Sequence, residues 1–256
     1  ALVYPFIHIP EKDYELAAKL YDWSLRYYVE SINWAGSPYA FHTIGSLIAV
    51  DFEAYAKVRG FPKRSGGEDF YLLNKLAKIG EIKTLSSPVI EIAARPSQRV
   101  PFGTGPALCK MTESENILSD YLFYHPNIFS QLKVVCMLIN QGWCVGDNLQ
   151  VQSSGDILGA FNKCLVVDAD IQTITEALDT LGFSDAWRHA VKQSASELQF
   201  VKQMTVWFDA FKTLKFIHYM RDHGYPSLPL SGVLAQTTVL SSELCETADS
   251  LLFTNL

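Results

Sequence analysis

A chain of 256 residues, 48% of them hydrophobic, carries enough apolar material for one substantial core or two modest ones, which excludes a disordered or fibrous protein. Its formal net charge of -6 comes without a basic stripe, so a nucleic-acid partner held through its phosphates is not expected. Five cysteines, at 109, 136, 144, 164 and 245, are odd in number and lack CxxC spacing; a reducing compartment is therefore expected, and a disulfide framework or structural zinc site is not.

No run reaches the roughly 18 apolar residues that read as a membrane span. The opening ALVYPFIHIP has neither the basic start nor the long apolar middle of a secretory signal, and a cytoplasmic location follows as the expectation. The opening also lacks Met and reads at once as a strand, so the chain is expected to begin inside a domain.

Residues 2–9 read as a short buried strand ended by Pro10, and 11–28 as a helix with a broad apolar side that includes Leu20, Trp23 and Tyr27. The aromatic content of that helix points to packing, with a sugar-stacking face as the alternative. A polar loop, 33–43, precedes an apolar strand at 44–50. Asp51 then stands as the N-cap of a helix over 52–58, which Gly60 ends, and Phe61 is expected to pin the following turn into the core. Residues 66–69, Gly-Gly-Glu-Asp, lead into an amphipathic helix carrying Leu72, Leu73, Leu76 and Ile79. Two short strands, 81–85 and 89–93, follow around a Ser86-Ser87-Pro88 turn. Beyond about residue 107 the patterns turn helical: 116–123, 128–141, 171–181 and one long stretch over 185–222. The organisation expected is a first region, 1–106, and a mainly helical region, 107–256.

Four places carry candidate chemistry. Glu68 and Asp69 fall at a helix start, where backbone N–H groups favour negative charge. In one reading Asp69 is a proton acceptor and Glu68 orders the group that loses the proton; in the other, the pair simply caps the helix. The loop 95–105, with two arginines, two prolines and two glycines, offers Arg95 and Arg99 to phosphate or carboxylate oxygens. His42, in the aromatic loop, is a candidate phosphate contact or an ordinary loop histidine. Asp168 and Asp170, in VVDADI, alternate as a divalent-ion pair would, but Asp170 also stands where it would cap a helix from Ile171. The remaining histidines, His8 among them, have no metal-ligand spacing, and no metal ligand is assigned.

The ordered run from Ile44-Gly45-Ser46-Leu47 through Asp51-Phe52-Glu53, Arg59-Gly60-Phe61 and Gly66-Gly67-Glu68-Asp69-Phe70 resembles the second half of a family 2 glycosyltransferase domain. The resemblance covers about residues 1–105 and is specific mainly over 44–80. It implies an α/β fold of the GT-A type for the first region. It also implies inverting transfer from a nucleoside-diphosphate sugar to a glycan or other acceptor hydroxyl, with Mg²⁺ or Mn²⁺ in the intact enzyme. Asp69 then resembles the catalytic base, Glu68 its acceptor-binding neighbour, and Gly45, Ser46, Gly66 and Gly67 the substrate-binding wall, with Arg95, Arg99 and His42 toward the donor. The family's donor-binding strand and Asp-x-Asp site do not precede Phe61, so this chain is expected to be an inactive fragment, compatible with peripheral membrane association or with a missing N-terminal half. Two alternatives stand beside it: a non-catalytic carbohydrate-binding or interaction module, and a diguanylate-cyclase-like enzyme, whose GG-acid-acid-Phe signature is similar to residues 66–70.

Overall fold

The computed structural model describes residues 1–97, 100–101, 103–143, 153–162, 169–237 and 240–253. Strand β1 (Leu2–Val3) lies between β3 (Ile48–Ala49), antiparallel, and β4 (Lys83–Thr84), parallel. Strand β2 (Phe6–Pro10) pairs in parallel with β5 (Ile90–Ala94), with His8 opposite Ile92. In β2 the period of two puts Phe6 and His8 inward and leaves Ile7 and Ile9 exposed. Helix α1 (Glu15–Trp34) follows a 3-10 turn at Lys12–Tyr14 and buries Leu20, Trp23 and Tyr27. Trp23 stacks on Tyr27 and meets Phe123 edge-on, and its indole N–H donates to the Leu244 carbonyl at 3.0 Å. The aromatic side of this helix is therefore core.

Helix α2 (Phe52–Lys57) begins where Asp51 predicts: its carboxylate accepts from the Glu53 and Ala54 N–H groups at 3.1 and 3.0 Å. Gly60, at φ 59°, ends the turn beyond it, and the ammonium of Lys75 reaches back to the Val58 and Gly60 carbonyls. Those two bonds hold α2 against α3 (Glu68–Ala77), whose Leu72, Leu73 and Leu76 are buried. Phe61 does not pin the turn into the core. It is 44% exposed, and its ring meets the Tyr55 ring edge-on. Helix α4 (Thr104–Thr112) and the short α5 (Ile117–Asp120) follow; the latter is a remnant of the helix expected over 116–123.

The chain divides into two compact units: Ala1–Glu30, Ala40–Phe123 and Leu228–Leu256 form the first, and Ser31–Tyr39 with Tyr124–Ser227 the second. The second is built on α6 (Pro126–Gln141) and the helices Ser154–Asn162, Ile171–Thr180, Phe183–Gln193, Glu197–Trp207 and Ala210–Asp222. The long helix expected over 185–222 is thus three. Ser196 and Asp209 interrupt it by accepting from the backbone N–H groups of Gln199 and Lys212, which favours new helix starts over continuation. Asp170 likewise caps its helix by accepting from the Thr173 N–H at 3.1 Å.

The GT-A expectation is overturned by this architecture. A nucleotide-sugar domain of that type needs a broad central sheet whose strand ends carry the ligand. Helix dominates here, and the described strands, of two or five residues, make two small sheets that do not close into one. The strand expected over 44–50 shows why: residues Gly45–Leu47 coil into a 3-10 turn closed by the Leu47 N–H on the Ile44 carbonyl, and only Ile48–Ala49 pair. Leu47 gains full burial from that turn, and burial outweighs the β propensity of the run.

Candidate functional site

Asp69 sits in the first turn of α3, after a turn that only glycine completes without strain: Gly67 precedes the helix at φ 71°. Arg64 lies over the Tyr71 ring at 3.8 Å and fastens the preceding loop to the helix. The Asp69 carboxylate accepts from the Phe70 N–H at 2.7 Å and is also supported by the Gly45 N–H. Burial raises its pKa above the ordinary carboxylate value, the neighbouring Glu68 adds to the rise, and the backbone donors oppose it. Gly45, beside it, and the following Ser46 are exposed. A Cβ built on Gly45 would stand 3.5 Å from Asp69 Oδ2, ordinary contact, so a side chain there would cover that oxygen. Glu68 itself is exposed. The structure thus brings together Asp69 and Gly45, with Ser46, Gly66, Gly67 and Glu68 adjacent to them in the chain.

A second group of polar side chains in the same unit was not legible as a site in the sequence. His8, buried on β2, places Nδ1 against the Asp22 carboxylate in a short contact, and the His8 backbone N–H donates to the other Asp22 oxygen at 3.1 Å. On its far side, His8 Nε2 is 3.1 Å from the Thr104 hydroxyl at the start of α4. Tyr21 shares a side-chain hydrogen bond with Thr104, and burial lifts the Tyr21 phenol to about 12, with the charges of Asp22 and Asp69 pushing the same way. Arg26, one turn after Asp22, donates to the Phe6 carbonyl at 2.7 Å and lies over the Phe6 ring. A cavity of about 560 Å³ opens beside His8, Asp22 and Arg26, walled further by Lys12, Lys19 and Glu243; Asp69 is not among its lining residues. The available signal was the alternation of β2, which puts His8 on the inward face with Phe6, where a ring nitrogen requires partners.

The other sequence candidates lie apart. His42 packs edge-on against Phe6 at 5.1 Å, and burial, with help from Arg26, lowers its pKa to about 4. Its ring is neutral at pH 7 and offers no charge to a phosphate. Arg95 is exposed, while Arg99 and Asp168 lie outside the described residues. Among the described residues no group of three His, Cys, Asp or Glu side chains is placed to hold a metal ion, and no helix is long and apolar enough to cross a membrane.

With the GT-A sheet absent among the described residues, the functions resting on it are corrected. Sugar transfer from a nucleotide-sugar donor to a glycan, its enzyme class, and the carbohydrate-binding wall offered as its alternative lose the fold that would support them. The cyclase-like alternative fails on local geometry, since Gly66-Gly67 opens directly into α3 rather than turning a hairpin. Nothing matches the chain among family models, curated proteins or solved structures.

Proposed function

We propose that the face of the first unit around Asp69 is a small-molecule site in which this carboxylate exchanges a proton with a bound polar ligand. The single observation that carries the reading is the state of Asp69: partly buried, raised in pKa by that burial, and oriented by backbone N–H groups from two separate segments. Such a group is a better proton acceptor than an exposed aspartate, because its conjugate acid is closer to neutral pH. Gly45, having no side chain, leaves Oδ2 of the carboxylate open on its side, the Gly66-Gly67 turn leads into its helix, and Glu68, exposed one residue earlier, is available to order the ligand. We assign this function to the cytoplasm, a reading supported by the free thiols Cys109, Cys136 and Cys245.

Ligand-observed NMR with a set of small hydroxy acids, polyols and carbonyl compounds tests it. Compounds that bind the wild-type protein are expected to lose binding in Asp69→Asn and in Gly45→Val, the first by removing the acceptor and the second by covering it. Binding that is the same in all three proteins would remove Asp69 from the site.

A further inference from the structure

We infer that Thr104, His8 and Asp22 form a nucleophile, base and orienting carboxylate capable of cleaving activated carboxylic esters. This goes beyond the Asp69 reading, and because Asp69 takes no part in the step, failure of one leaves the other standing.

A carboxylate accepts, so the Asp22 contact assigns the proton of the neutral imidazole to Nδ1 of His8. Nε2 is then left with its lone pair, facing the Thr104 hydroxyl at 3.1 Å. That is the arrangement in which a histidine takes the proton of an attacking hydroxyl. The orientation is held from several sides: Asp22 also accepts from the His8 backbone N–H, and the Phe6 ring meets the imidazole edge-on at 5.4 Å. With its side chain only 1% exposed, His8 is shielded from water, whereas Thr104 is partly exposed. Among the described residues, a Cβ built on the preceding Gly103, at φ 99°, would meet nothing within 4 Å. Thr104 begins a nine-residue helix, and its N–H has no intrahelical acceptor, which suits a developing oxyanion, while Gly105 beside it is packed closely against Ser97.

In the step, a lone pair of Thr104 Oγ1 forms a bond to the ester carbonyl carbon while the hydroxyl proton passes to His8 Nε2. Collapse of the tetrahedral species breaks the bond to the alcohol oxygen, which leaves with the electron pair and takes up the proton. Water then attacks the acyl-threonine, gives its proton to His8, and releases the acid as Thr104 regains a proton. The ester and one water become one acid and one alcohol. Asp22 touches no reacting atom and is a positioning residue.

The test uses p-nitrophenyl acetate with the full chain. The expected result is release of p-nitrophenol with an acetyl group mapped to Thr104 by peptide mass spectrometry. Acetylation at this position should be absent in Thr104→Ala, retained on the replacement hydroxyl in Thr104→Ser, and slowed by about a hundredfold or more in His8→Gln. A ¹⁵N NMR spectrum of the wild-type imidazole gives an independent reading should His8→Gln fail to fold: the Nδ1–H tautomer is expected, with loss of that preference in Asp22→Asn. Acetylation of lysines alone, nitrophenol release unchanged in Thr104→Ala, or an Nε2–H tautomer would each overturn the proposal.

Discussion

The two units differ in how they treat polar groups inside. In the first, the buried His8 is tied on both ring nitrogens, and Asp22 and Arg26 direct side-chain hydrogen bonds to the β2 backbone. The second is closed by large apolar groups: Trp187, Phe183, Phe200, Met204 and Phe216 are essentially fully buried, and the Trp187 and Phe200 rings meet edge-on at 4.8 Å. Its buried Gln131 and Asp209 each accept from a backbone N–H group, those of Asp170 and Lys212, while the hydroxyls of Ser154, Ser194 and Thr213 have no hydrogen-bond partner among the described residues. The difference is that the first unit holds a buried imidazole by both ring nitrogens, whereas the second leaves three buried hydroxyls without a partner among the described residues.

The contrast breaks most visibly at Trp187. Trp187→Ala is expected to cost about 3–5 kcal/mol, read as lost hydrogen-exchange protection in the second unit. Retained protection would mean that the ring is not the centre of that core. A pH dependence follows next, from His42 in the first unit. Its pKa falls from 6.5 to about 4 in the folded protein, so between those values the unfolded chain binds a proton that the folded one refuses. Stability is therefore lost as pH falls through that window, by about 3 kcal/mol when complete. His42→Gln should flatten this acid-side slope in denaturant titrations at several pH values; an unchanged slope would place the titration elsewhere.

Smaller effects sharpen the comparison. Asp51→Ala removes the acceptor for two N–H groups of α2 and should cost about 1 kcal/mol in chemical denaturation. Thr213→Val, in the second unit, replaces a buried hydroxyl that has no partner among the described residues by a methyl group of similar shape, and should raise stability by about 1 kcal/mol. Loss of stability there would show that the hydroxyl is satisfied after all.

The sequence made the helix starts legible wherever a capping residue met an apolar period: Asp51 and Asp170 both cap helices that begin where expected. The same chemistry was passed over at Ser196 and Asp209, because continuous aromatic content across 185–222 hid two N-caps inside one helical period. The GT-A resemblance misled for a related reason. It rested on the order of short motifs, and such motifs record local turns and helix starts without recording whether strands are long enough to build a sheet. Asp69 at a helix start was readable from the Gly66-Gly67 turn, but its partial burial was not, since that depends on Gly45 approaching from a distant segment of the chain. His8, Asp22 and Thr104 were beyond reach because each comes from a different element, with no spacing to connect them.

Side-chain ¹³C NMR across an acid titration measures directly how tightly Asp69 holds its proton. Asp120 is the internal reference, since hydrogen bonds from Ser114 and Ser119 hold its pKa low. Asp69 is expected to titrate above the usual aspartate range and Asp120 below it. An Asp69 midpoint within or below the usual aspartate range would contradict this.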